Sequence, residues 1–179
     1  MSKSTNDPLI ILDSDVIRHF LKGGQIHILP KLYPRRLVIL DIVKSELCQS
    51  RHLVDQVCNF ISFFKIIEVQ FPTHDMKIFS EYIRLREVEL RGDGESACMA
   101  FAKFNNHIIA SSNLKDIQKY CIDNGITYLT TMDLLLEAYY KNLISKDDCT
   151  EFIRTVKESG SKLPVDTIDQ YIELLNRTQ

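Results

Sequence analysis

The chain has 179 residues, 45% of them hydrophobic and 26% charged, with a formal net charge of -2. Such a length and balance suit one domain with a substantial core and exclude a disordered chain. The slightly acidic charge excludes nucleic-acid binding through overall basicity, and the longest apolar runs fall far below the roughly 18 residues a membrane helix needs.

Met1 to Pro8 is polar, lacks the apolar core of a secretory signal, and reads as a short flexible arm. Leu9-Ile10-Ile11-Leu12 is a buried parallel strand by its unbroken aliphatic run. Asp13 ends it, and residues 14–22 form a helix with Val16, Ile17, Phe20 and Leu21 on one face. Gly23-Gly24 stops that helix, and a short helical stretch over about 25–33 ends at Pro34. Leu37-Val38-Ile39-Leu40 is the second strand. Asp41 is placed to cap the helix carrying Val43, Glu46 and Leu47, and another helix spans about 52–64. Ile66-Ile67-Glu68-Val69 is a third strand nearer an edge.

Thr73 is placed to cap a charged helix over about 75–90, broken by Arg91-Gly92-Asp93-Gly94. A small-residue helix over about 95–104 leads to a fourth strand, His107-Ile108-Ile109-Ala110. A helix near 114–124 ends at Gly125, and Ile126-Thr127-Tyr128-Leu129 is the fifth strand. Thr131 is placed to cap the helix with Leu134, Leu135 and Ala138. From about Ser145 two amphipathic helices flank Gly160 to Pro164. Strands alternating with helices predict an α/β sandwich on a parallel sheet.

The five cysteines, Cys48, Cys58, Cys98, Cys121 and Cys149, form no CxxC pair and suit a reducing, cytoplasmic compartment. Neither cysteines nor histidines carry zinc-ligand spacing. The Asn176-Arg177-Thr178 sequon and the Arg91-Gly92-Asp93 tripeptide have no role in such a setting. Gly92-x-Gly94-x-x-Ala97 fits a dinucleotide fingerprint, but a charged helix precedes it where that motif requires a strand. There is no Gly-x-Ser-x-Gly elbow, and the five histidines are scattered.

Acids recur where ligands bind in open parallel sheets, beyond the carboxyl ends of the strands. Asp13 follows strand one, Glu46 lies on the helix after strand two, Glu95 opens a helix after a glycine loop, and Asp116 follows strand four. Taken singly, each has a plainer reading as a cap, a first-turn acid or a solvated helix residue. Together they form a candidate catalytic and metal-binding constellation. Gathered carboxylates repel unless a cation neutralises them or some stay protonated, and oxygen-only ligands select Mg²⁺ or Mn²⁺. Ser14, Asp15, Ser112 and Asn113 are the supporting candidates. Lys22, Arg35, Arg36, Arg51, Lys115 and Lys119 are the cations expected to ring this edge and hold phosphates, with an ordinary surface role as the alternative for each.

These residues resemble the PIN-domain family of nucleases over roughly residues 9–144. Ile10-Ile11-Leu12-Asp13-Ser14-Asp15 resembles its opening strand and first metal-binding acid, and Val43-Lys44-Ser45-Glu46-Leu47 its second acidic motif. Gly92-Asp93-Gly94-Glu95-Ser96-Ala97 is similar to the Gly-x-Gly-Glu motif of a prokaryotic branch related to VapC-type toxins, and Gly125 to Ile144 resembles the end of that branch. The resemblance implies a three-layer α/β/α sandwich with a five-stranded parallel sheet ordered 3-2-1-4-5, plus C-terminal helices over 145–179 packed on the domain or a partner. It also implies Mg²⁺- or Mn²⁺-dependent ribonuclease activity, an RNA substrate, an antitoxin or other protein partner, a homodimer and no membrane. One departure stands out. Ser111-Ser112-Asn113 replaces the Asp often found directly after strand four, so Asp116 must reach back or Ser112 or Asn113 must hold a metal-bound water. The alternative is a catalytically weakened PIN-like module that binds RNA or a protein partner without cleavage.

Overall fold

The computed structural model describes residues 7–89 and 91–178, with the side chains of residues 114–116 and 178 outside the description. Met1 to Asn6, most of the expected arm, also lie outside the described residues.

Five strands form one parallel sheet: β1 (Ile10–Leu12), β2 (Leu37–Leu40), β3 (Ile67–Val69), β4 (Ile108–Ala110) and β5 (Tyr128–Leu129). Their order is β3-β2-β1-β4-β5, as the resemblance implies. Register follows from the pairs Ile11↔Val38, Ile11↔Ile109, Ile39↔Glu68 and Ala110↔Leu129. The central strands β1 and β2 are buried throughout, because helices cover both faces of a parallel sheet. At the β3 edge, Ile67 and Glu68 stay exposed.

The helices are α1 (Ser14–Lys22), α2 (Ile28–Leu32), α3 (Asp41–Cys48), α4 (Arg51–Phe64), α5 (Met76–Glu87), α6 (Asp93–Asn105), α7 (Leu114–Asn124), α8 (Thr131–Tyr140), α9 (Lys146–Glu158) and α10 (Ile168–Thr178). Three caps differ from expectation by one or two positions. Asp75, not Thr73, caps α5, its carboxylate accepting from Lys77 N and Ile78 N. Thr130, not Thr131, caps α8 in a reciprocal capping box with Asp133. Asp41 is the first residue of α3 instead of its cap, and its Oδ1 accepts from Phe71 N at 2.9 Å, tying down the segment after β3. At α5 and α8 the capping side chain belongs to the residue holding extended φ/ψ, from which it reaches the orphan N–H groups.

The C-terminal helices pack on the sandwich. Phe152 of α9 meets Phe20 of α1 with ring centroids 5.0 Å apart, and Gly23 leaves the room, since a Cβ there would lie 2.2 Å from the Phe152 ring. Tyr171 of α10 donates to Asp133 Oδ1 at 2.6 Å. Among the described residues, no helix is long and apolar enough to cross a membrane.

Candidate active site

Three of the four expected acids line one cleft at the carboxyl edge of the sheet. Asp13 leaves β1 with its backbone N–H bound to Ala110 O at 2.9 Å, then caps α1 with extended φ/ψ. The residue is 4% exposed. Oδ1 accepts from Ser14 N at 2.7 Å and Oδ2 from Ser111 Oγ at 2.8 Å. The capping role weighed against catalysis therefore holds at the same time as the placement in the cleft. Ser14 also donates from Oγ to Glu46 Oε1 at 2.7 Å, so one serine links the acids of β1 and α3. Glu95 stands in the first turn of α6, where Arg91 Nη1 approaches its Oε1 at 3.2 Å.

Asp13, Ser14, Asp15, Glu46, Gly92, Glu95 and Asn113 line one cleft of about 120 Å³. Gly94 permits its closure: a Cβ there would lie 2.5 Å from Glu46 Oε2. Burial, with added repulsion from Asp15 and Glu46, raises the Asp13 carboxyl from 3.8 to about 6, against the lowering effect of the Ser111 and Ser14 hydrogen bonds. Cys98, buried beneath, registers the same field. Burial first, then the charges of Asp13, Glu46 and Glu95, hold its thiol well above its usual range.

The donors are hard oxygens around a carboxylate that lacks a full counter-charge, which suits Mg²⁺ or Mn²⁺. Among the described residues, no three of the His, Cys, Asp and Glu side chains converge closely enough to hold an ion as they stand. Asp116 lies on α7 with its side chain outside the described residues, as does that of Lys115.

Ser111, not Ser112, touches Asp13. Ser112 turns toward α8, where its Oγ bonds Thr131 Oγ1 and accepts from Thr131 N at 3.3 Å. Asn113 stays in the cleft. Three expected phosphate-binding cations are at the opposite edge. Lys22 ends α1, about 12 Å of helix from Asp13, and reaches Ser161 Oγ at 3.2 Å. Arg35 and Arg36 precede β2, and Arg36 Nη2 donates to Pro8 O at 2.7 Å. A helix returning from the carboxyl edge, or a residue entering a strand, ends at the amino edge; alternation along the sequence alone does not tell the two edges apart. Arg51 opens α4 and is exposed, and Lys119 pairs with Asp123 on α7.

Two further cations stand at the site. Arg18 Nη2 lies 3.9 Å from Glu46 Oε1 and Arg91 sits on Glu95. Arg91 precedes the Gly92 cap of α6, so its pair with Glu95 spans the entry to the helix, and Arg18 approaches Glu46 only through the packing of α1 on α3.

A family model described as PIN domain, DUF3368, matches residues 9–177. No curated protein matches the chain. The fold is similar to a chain in the solved structure of VapBC-1 from nontypeable Haemophilus influenzae, with a TM-score of 0.51 and 17% identity, covering 69% of this chain and 98% of that one.

Proposed function

Because the chain belongs to the PIN-domain family, we propose that it is a divalent-metal-dependent ribonuclease that hydrolyses phosphodiester bonds. The observation that carries this reading is Asp13: a buried carboxylate among like charges, raised to about 6, in a cleft it shares with Glu46 and Glu95. Such a group is stabilised most by a cation.

Asp13 and Glu95 would hold the principal Mg²⁺ or Mn²⁺, with Glu46 and Asp116 completing the set. Bound there, the metal supplies a polarised water and neutralises charge on the phosphate. The chain's own residues prepare the place. Ser14 fixes Asp13 through its N–H and Glu46 through its Oγ, and Ser111 holds the second Asp13 oxygen. Arg18 and Arg91 offset part of the acidity of Glu46 and Glu95 until a metal arrives. Residues 9–144 would carry the chemistry and the helices beyond 145 would serve as an extension, in a cytoplasmic protein acting as a toxin with an antitoxin or other protein partner, and as a homodimer.

The test is cleavage of a mixed RNA pool by the purified chain, stripped with chelator and then supplied with Mn²⁺. Asp13→Asn and Glu95→Gln should each lower the rate about 100-fold or more. Parental activity in both variants removes these residues from the mechanism. A second reading is favoured by Ser111-Ser112-Asn113, which puts a neutral hydroxyl against Asp13: a module that binds RNA or a protein without cutting. Mn²⁺ binding without cleavage would select it.

A further inference from the structure

A second cavity opens beside the acid cleft, at the carboxyl ends of β4 and β5, with a volume of about 400 Å³. Consecutive residues separate the two: Ser112 lines this cavity and Asn113 lines the cleft. The backbone from Ser112 to Asn113 is therefore a wall shared by the two openings. Its walls are Tyr128, Met132, Leu163, Tyr171 and Leu174, with Lys162 at the exposed rim.

We propose that this cavity receives one nucleobase of a single-stranded RNA, the nucleotide flanking the scissile phosphate. This rests on the ribonuclease reading above and adds to it the path and footprint of the strand.

Charge selects this occupant. The only carboxylate among the lining residues is Asp133, and both its oxygens are engaged. Oδ1 accepts from Tyr171 OH at 2.6 Å, and Oδ2 accepts from Thr130 N at 2.8 Å and Thr130 Oγ1 at 2.7 Å. Aromatic and aliphatic walls suit the face of a base, while Gln118 offers a polar group to its edge. Lys162 supplies positive charge where the backbone would leave. The cavity on the other flank of the cleft has the opposite character, lined by Asp41, Glu46 and Asp93, and would repel phosphates. The strand therefore runs from the cleft across β4 and β5 toward α10.

The experiment uses the full chain and fluorescent single-stranded RNA pentanucleotides, intact or with one abasic residue walked along the strand. Binding is read by anisotropy in Ca²⁺, and cleavage is read separately in Mn²⁺. One abasic position should weaken binding about 5- to 150-fold, the effect of losing one stacked base. Leu174→Trp, a change at a residue 43% exposed, should fill the cavity and bring intact RNA to the affinity of that abasic strand. Lys162→Ala should lower the salt dependence by about 0.7 in log–log slope. Equal binding of all abasic strands, no measurable binding of intact RNA, or parental discrimination in Leu174→Trp overturns the proposal. Absence of cleavage with base-dependent binding intact would overturn the nuclease reading alone.

Discussion

Asp13, at the carboxyl end of β1, and Glu81, on α5, are both buried residues, 4% and 9% exposed. Their surroundings push them in opposite directions. Glu81 accepts from Arg84 Nε and Nη2 at 3.0 Å, Lys103 Nζ at 3.0 Å and Tyr120 OH at 2.8 Å. The Arg84 hydrogen bonds, with those of Tyr120 and Lys103 and against the cost of burial, hold it at about 2 instead of 4.5. Asp13 has two hydrogen bonds and acidic neighbours, and rises to about 6. Glu81 clasps α5, α6 and α7 together and has its cations built in. Asp13 does not, so burial, the largest cause of its rise, goes uncompensated, and that separates a site from a structural ion pair.

Substituting each acid by its amide breaks the comparison most directly. Asp13 binds its proton more tightly folded than unfolded, so its contribution is fully present below about pH 4 and is lost as pH rises through about 6. A displacement of roughly two pH units corresponds to about 3 kcal/mol. Asp13→Asn should therefore gain up to about 3 kcal/mol in urea denaturation at pH 7.5 without divalent ions, and the gain should vanish near pH 4. A variant less stable than the parent at pH 7.5 would show that the Asp13 charge is already compensated.

Glu81→Gln should do the reverse, losing about 2 kcal/mol at pH 7 because Arg84 and Lys103 lose their charged partner; the exposure of Arg84 keeps the figure below that of a fully buried pair. Here the folded value is depressed, so stability is present above about 4.5 and fades as pH falls toward 2. The loss in Glu81→Gln should shrink over that window. A loss that persists unchanged to pH 2 would assign the effect to packing.

Mn²⁺ sharpens the contrast further. At ten times its dissociation constant, an ion that binds only the folded chain adds about 1.4 kcal/mol. The parent and Glu81→Gln should both gain it, and Asp13→Asn should not. Equal gains in all three would place the ion elsewhere.

Much of this contrast was legible in the sequence on one side only. Four consecutive aliphatics before Asp13, and Glu95 after Gly92-Asp93-Gly94, marked the acids, because strand ends and helix starts are local signals. Glu81 carries no such local signal: its partners Lys103 and Tyr120 come from α6 and α7, and only packing unites them. The same limit explains the cations. Lys22 and Arg36 are near Asp13 along the chain and far from it in space, while Arg18 meets Glu46 across 28 positions. Ser111 departs from the family pattern, yet it is the residue that holds Asp13. Its neighbour Ser112 turned away, because successive residues leaving a strand point to opposite sides.

The smallest stability change is expected at Gly94, and it isolates Glu46. The backbone there has no positive φ, so space alone decides what a methyl does. In Gly94→Ala the Cβ would lie 2.5 Å from Glu46 Oε2 and 3.4 Å from Val43 Cγ2. The first contact is the end of a flexible side chain that can swing, and the second is ordinary. Alanine also favours the helix over glycine by up to about 1 kcal/mol, offsetting the strain, so net stability should move by less than about 1 kcal/mol. The displaced carboxylate would leave the Ser14 hydroxyl that now fixes it. If Glu46 helps hold the ion, Mn²⁺ affinity measured by calorimetry should fall about tenfold, as it does when a group supporting a metal site is disturbed. The pH window of the Glu81 network should be unchanged. Parental Mn²⁺ affinity in Gly94→Ala would leave Asp13 and Glu95 as the ligands and return Glu46 to a purely structural link between α1 and α3.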